Sequence, residues 1–213
     1  MKYHTLIIRQ LLRWHSSPAD GGRYEMAHAC THCGAGAVRT DPLFASASVC
    51  KAGVAATYKL QVVISKDVFE RLSAAGVTCM RPVVDQKKKE PVEFWSLEPE
   101  AILPPWAKAS EGFAIEGQCP RCHRDGFFDV PKRSLGLVYT TIPAADVLAT
   151  WEHFGNSRLR TPFEESLFAI PRLIVSDRVR DVFGDYKGVE FLEVQTTEPN
   201  QIITAQRASR VAD

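Results

Sequence analysis

Two Cys-x-x-Cys pairs are the residues of this chain best suited to chemistry: Cys30 and Cys33 within His28-Ala29-Cys30-Thr31-His32-Cys33-Gly34, and Cys119 and Cys122 within Gln118-Cys119-Pro120-Arg121-Cys122-His123. Two residues between thiolates form a tight turn that aims both sulfurs at one ion, and the glycine after the first pair permits the positive φ such a turn needs. A structural zinc ion takes four ligands in a closed tetrahedron, so two pairs that each supply half a shell are expected to share one ion. The expectation is a single structural Zn2+ held by Cys30, Cys33, Cys119 and Cys122. It would pin together two stretches, near 28–36 and 117–125, that lie far apart in the chain.

Other chemistries for the same residues are less well supported. A redox dithiol of the thioredoxin kind sits at the end of a strand and opens a helix, and neither pair is followed by a convincing helix. Cys119-x-x-Cys122-His123 also matches the pattern of covalent haem attachment, but that reaction belongs outside the cytoplasm and the chain shows no export signal. His28, His32 and His123 could each replace a thiolate, although four cysteines suffice and the histidines read better as surface groups or donors to the thiolates. Cys50 and Cys79 stand alone beside apolar neighbours and read as small buried hydrophobes.

No catalytic constellation is visible. The chain holds no Walker A loop, dinucleotide glycine fingerprint, Gly-x-Ser-x-Gly or His-Glu-x-x-His. Glu164-Glu165 and the pair Asp177 and Asp181 read as solvated or helix-start carboxylates, not as an acid and a base. The expectation is a protein that is not an enzyme.

Composition narrows the partners. Twenty-six Lys plus Arg against 25 Asp plus Glu leave a net charge of +1, so no global field draws in nucleic acid or an anionic membrane. With 45% hydrophobic residues, 213 residues can bury a core without disulfides. The opening Leu6-Ile7-Ile8 run is too short for a signal sequence, and no stretch approaches the roughly 18 apolar residues that span a bilayer. A cytoplasmic location is expected.

The elements that must position the cysteines can be read from period and punctuation. Thr5 to Leu12 reads as a first strand, and Ser16 to Gly22 as a turn leading to the first pair. Residues 57–64 read as a strand, after which Ser65 caps a helix from Lys66 to about Ala75 with Val68, Phe69 and Leu72 on its apolar face; Gly76 ends it and strand resumes over Val77 to Met80. The same grammar recurs in Leu173-Ile174-Val175-Ser176, then Val179, Val182 and Phe183, then Gly188 and Val189 to Val194, a strand–helix–strand unit over about 171–195. Chance recurrence of a common idiom and a true internal duplication are both compatible with two instances. Between them, Lys87-Lys88-Lys89 reads as a solvated loop, and Pro91, Pro99, Pro104 and Pro105 as an irregular connection anchored by Trp95 and Trp106. A further helix is expected over Ala144 to Phe154, and little pattern from Gln201 onward. The predicted fold is α+β: one domain over 1–213 with a mixed or mainly antiparallel sheet, a few helices and an inserted four-cysteine zinc ribbon.

The order of these parts resembles the double-CXXCG-motif family of myxobacterial paralogues, assigned as immunity proteins in polymorphic, swarming-inhibition toxin systems. The likeness rests on the N-terminal strand, Cys30-x-x-Cys33-Gly34, the mid-chain strand and Ser-capped helix, Cys119-x-x-Cys122, and Leu173-Ile174-Val175-Ser176 through Gly188-Val189-Glu190-Phe191. One departure is His123, which stands where that family has glycine. The resemblance implies a cytoplasmic protein that binds a cognate protein toxin and blocks it. The competing expectation is a zinc ribbon that binds nucleic acid or regulates, with Arg39, Arg121, Arg124, Lys132 and Arg133 as its phosphate track. A dithiol oxidoreductase is the third.

Overall fold

A computed structural model describes residues 1–12, 23–32, 36–45, 53–57, 61–85, 87–107, 110–111, 113–123, 125–129, 136–154 and 171–197. In the first part of the chain run β1 (Tyr3–Ile8), β2 (Leu11–Leu12), β3 (Tyr24–Glu25), β4 (Val38–Arg39), β5 (Leu43–Ala45), β6 (Val54–Thr57), β7 (Val62–Ser65), α1 (Lys66–Ala74) and β8 (Met80–Asp85). There follow β9 (Pro91–Leu97), β10 (Ala101–Ile102), β11 (Phe113–Gln118), β12 (Asp125–Asp129), β13 (Val138–Tyr139), β14 (Val147–Ala149), β15 (His153–Phe154), β16 (Leu173–Ser176), α2 (Asp177–Phe183) and β17 (Val189–Thr196). The fold is mixed α+β, mostly strand with two short helices.

Two six-stranded sheets dominate, in the orders β2-β6-β7-β9-β8-β5 and β10-β14-β16-β1-β17-β13. Across each, successive neighbours run parallel, antiparallel, antiparallel, antiparallel and parallel. The agreement extends to register. Val54 faces Ile64 and Ile64 faces Trp95 in the first sheet; Val147 faces Val175 and Val175 faces His4 in the second. On this register Leu97 corresponds to Leu6, Val68 to Val179 and Leu72 to Phe183, and all six are buried in one shared core. The recurrence of strand, serine, helix and strand is therefore an internal structural duplication. The chain carries two copies of one sheet-and-helix unit, packed against each other through α1, α2 and the inner sheet faces.

Strand alternation explains how that core is built. Val62 and Ile64 point into the shared core, while Val63 between them joins Leu43, Ala55 and Val83 on the other face of the first sheet. Val175 and Ile174 divide in the same way, Ile174 packing with Tyr3, Leu103, Trp106, Leu137, Tyr139, Leu148 and Val194. Both faces of the central strands are thus buried, and each fully buried aliphatic side chain contributes about 1.5–3 kcal/mol.

Several sequence expectations change. The helix expected over Ala144 to Phe154 is two strands, β14 and β15. Its apolar residues fit a helical face, but Val147 and Leu148 are buried on opposite sides of a sheet, so the alternation that marks a strand disappears. Within the proline-rich centre, Pro91 and Trp95 lie in β9, which pairs antiparallel with β8, while Pro99, Pro104 and Pro105 lie in the irregular connection outside the strands. Pro91 opens its strand and Pro82 adjoins a register shift, positions where a missing ladder donor is tolerated. The expected first strand is divided: β1 enters one sheet and β2 the other. The expected strand over 57–64 breaks between β6 and β7, with 58–60 outside the described residues, as are 16–22 and everything from Gln201. Finally, Ser65 and Ser176 do occupy helix N-caps, but neither hydroxyl caps its helix. The Ser176 hydroxyl donates instead to Asp146 Oδ1 at 2.6 Å, a buried bond that ties β16 to the turn before β14.

Equivalent positions in a duplicated core predict equivalent losses. Leu6→Ala and Leu97→Ala are each expected to lower unfolding free energy by about 2–5 kcal/mol in urea titration, because each opens a cavity in the same core from opposite sides. A silent result at either position, with the other strongly destabilised, contradicts the equivalence.

Candidate metal centre

Hairpins from the two halves of the duplication bring Cys30, Cys119 and Cys122 to the same point. The first pair lies between β3 and β4, which pair antiparallel through Tyr24 with Arg39 and Glu25 with Val38. The second lies between β11 and β12, whose ladder runs from Phe113 with Asp129 to Gln118 with Asp125. These hairpins hold the sulfurs of Cys30, Cys119 and Cys122 within 4.8 Å of one another. Cys30 Sγ and Cys119 Sγ are 3.7 Å apart although the residues are remote in the chain. Cys119 is buried and the other two are half-buried.

Local backbone chemistry sets the aim of the thiols. The amide of His123 donates to the carbonyl of Cys119 at 2.9 Å and closes the second turn. His123 itself has φ +56°, so the left-handed conformation expected of a glycine is adopted by a histidine here. Gly36, beyond the first pair, has φ +91°, and a Cβ there would lie 2.8 Å from the carbonyl oxygen of His28. Only glycine fits that close approach.

Of the four cysteines expected to form one shell, three are thus brought together, and Cys33 lies outside the described residues, as does Cys50. His28, His32 and His123 are exposed, and no histidine joins the cluster among the described residues. Three convergent thiols are close enough to hold a metal ion. Ionised thiolates at such separations repel strongly, and a bound cation removes that repulsion while keeping them deprotonated.

Cys79 stands apart from this group. Burial first, and then the charge of Glu100, pushes its thiol up to about 12. Such a thiol stays protonated at neutral pH and is inert toward electrophiles.

Of the basic residues expected to form a phosphate track, Arg39 is engaged within the protein. Arg39 is 9% exposed, and its guanidinium bonds to Glu98 and Ser96, fastening the first hairpin to β9 and the residue after it. Arg121 is exposed, while Arg124, Lys132 and Arg133 lie outside the described residues. The Arg39–Glu98 pair had no sequence signal, because only the fold brings the two residues together. Asp177 and Asp181 both pair with Arg180; Asp177 also accepts from His4 at 2.9 Å, and that contact and the amide of Lys2 hold its carboxyl below the usual range. Glu164 and Glu165 lie outside the described residues. No helix among the described residues is long and apolar enough to cross a membrane.

Two outcomes follow. Cys30→Ser and Cys119→Ser should each lower metal content and melting temperature by similar amounts, since either opens the same shell and metal affinity is folding free energy; metal analysis with thermal melts checks this, and a strong effect at only one of them contradicts it. In the second, the rate of Cys79 alkylation in the folded protein should keep rising with pH past the ordinary thiol value of 9.0 toward about 12. The unfolded chain ionises this thiol first, so its effect on stability is lost as pH rises through that window, and Cys79→Ala should flatten the loss. An alkylation plateau near 9 contradicts the raised value.

Comparison with family models, with curated proteins and with solved structures returned no match, so the centre is read from its own chemistry.

Proposed function

We propose that the chain is a cytoplasmic immunity protein, a non-catalytic binder of one cognate protein toxin, built on a scaffold braced by structural Zn2+. The observation that carries this reading is the meeting of Cys30 with Cys119 and Cys122 from the two halves of a duplicated frame. The paired Cys-x-x-Cys motifs, with the C-terminal strand–helix–strand unit, are the most specific part of the resemblance to the double-CXXCG immunity proteins.

The zinc assignment is supported by geometry and donor type. Thiolates select zinc and iron–sulfur chemistry over hard cations, and a tetrahedron with metal–sulfur bonds of about 2.3 Å has sulfur–sulfur edges of about 3.8 Å. The Cys30 to Cys119 separation of 3.7 Å matches such an edge. Cys33 follows Cys30 at the spacing by which Cys122 follows Cys119 in the sequence, and on that spacing it is the proposed fourth ligand.

An immunity protein needs a rigid surface with clustered aromatic and arginine anchors, since a few such residues carry most of the energy of an interface. Half-buried groups of that type, packed on the rim of the shared core, occur beside α1. Phe69 stacks on Trp95 with ring centroids 4.2 Å apart, and Arg71 lies over the ring of Tyr186. The nucleic-acid reading is weaker, because Arg39, one of its named contacts, is buried against Glu98.

Titration against the product of the adjacent gene tests the proposal. Inhibition of a toxin activity should saturate at one chain per toxin and stay constant with time. If the aromatic patch beside α1 lies in the interface core, Trp95→Ala should weaken binding by about 2 kcal/mol or more, and Arg71→Ala should weaken it as well. Substoichiometric chain that goes on inactivating toxin as incubation lengthens would mean turnover, and salt-sensitive binding to generic DNA with no effect on the neighbouring product would favour the zinc-ribbon alternative.

A further inference from the structure

Among the described residues the second half of the duplication has no strand of its own in one slot, and the N-terminal strand fills it. In the first half, β8 is followed by a turn at 87–90 and then by β9, which inserts between β7 and β8. In the second half the strand equivalent to β8 is β17, after which the described chain ends. The slot equivalent to that of β9, between β16 and β17, is occupied by β1. Tyr3 pairs with both Ser176 and Val194, so the start of β1 lies beside the end of β17, as Pro91 lies beside Val84 in the first half.

The side chains of β1 fit that slot as those of β9 fit theirs. Tyr3 corresponds to Phe94, Thr5 to Ser96 and Leu6 to Leu97. Tyr3 and Phe94 face the two outer cores, Thr5 and Ser96 are buried polar residues, and Leu6 and Leu97 face the shared core. Even the flanking charges correspond with signs reversed: Lys66 pairs with Glu93 at 3.2 Å, and the matching positions hold Asp177 and Lys2, where the backbone amide of Lys2 donates to the Asp177 carboxylate.

Chain length prevents β1 from doing the same job in the first half. Only Arg9 and Gln10 separate it from β2, which lies at the edge of the first sheet, three strand spacings from the β7–β8 slot. Three spacings are about 14 Å, and three Cα steps reach about 11 Å at full extension. The second half, in turn, has no other strand among the described residues in that slot.

We propose that the chain is a closed two-fold ring of strands opened between β17 and β1, in which the N-terminal strand is the last strand of the C-terminal half. The two halves are then one cooperative unit, and a break in the turn at 87–90 is equivalent to the break between β17 and β1. This inference concerns the frame and stands whether or not the partner is a toxin.

A circular permutant tests it. Residues 88–213 would be joined to residues 1–87 through a short glycine-containing linker from Asp213 to Met1, placing the new ends in the old turn. It should fold with one cooperative transition within a few degrees of the parent, and it should keep one metal per chain. If it does not fold, the full chain cut enzymatically at an engineered site between Lys87 and Lys88 decides. A single particle of intact size with one unfolding transition supports the ring, whereas two separate half-size species, each keeping its own β-sheet signal, overturn it. Hydrogen exchange on Thr5→Pro adds a local readout. Protection should be lost over 173–176 and 189–194 in the second sheet while β7 keeps its own; the opposite pattern, with β7 losing protection and β16 and β17 unaffected, contradicts the assignment.

Discussion

Convergence of thiols from two distant hairpins is the constraint on which this structure depends. Three sulfurs lie within 4.8 Å of one another, a separation that requires protons or a cation between them. The hairpin frames are small: β3 and β4 contribute two residues each, and Tyr24 and Glu25 are only partly buried or exposed. Such short ladders bury too little apolar surface to persist unaided; the Arg39–Glu98 pair fixes the first hairpin to the body, and the proposed metal would add a second tie.

The body that receives these hairpins is stabilised by conventional means. A shared apolar core, built from the inner faces of both sheets and the buried sides of α1 and α2, joins the halves over a wide area. Around it, polar groups connect elements that are remote in the chain. Asp146 accepts from Ser176 and pairs with Arg178 at 2.9 Å, and Glu100 accepts from the amides of Asp146 and Val147. These contacts order the junction between β10, β14 and β16, from which the second hairpin departs.

Much of this was legible in the sequence, for identifiable reasons. Ser65 and Ser176 mark helix starts because the preceding residues are β-branched and the following apolar residues recur at helical spacing. The cysteine pairs announce themselves by spacing alone. Strands buried on both faces carry no alternation, and so Val147-Leu148-Ala149 read as part of a helix. Prolines in β8 and β9 masked a strand pair whose register shift accommodates them. The duplication was only half visible because its halves differ where sheet contacts allow: Trp95 corresponds to His4, and Phe69, which stacks on Trp95, corresponds to Arg180, which contacts His4. An aromatic pair and a charged pair fill the same architectural position, so equivalence appears in register and not in residue type.

The central claim is that one metal ion joins the two halves through sulfur alone. X-ray absorption at the zinc edge on purified protein measures this most directly, since it reports the number and type of atoms bound to the ion. The account predicts one zinc per chain with four sulfur neighbours at about 2.3 Å and no nitrogen or oxygen in the shell. A shell containing histidine nitrogen, two zinc ions per chain, or protein that folds fully with no bound metal would contradict it.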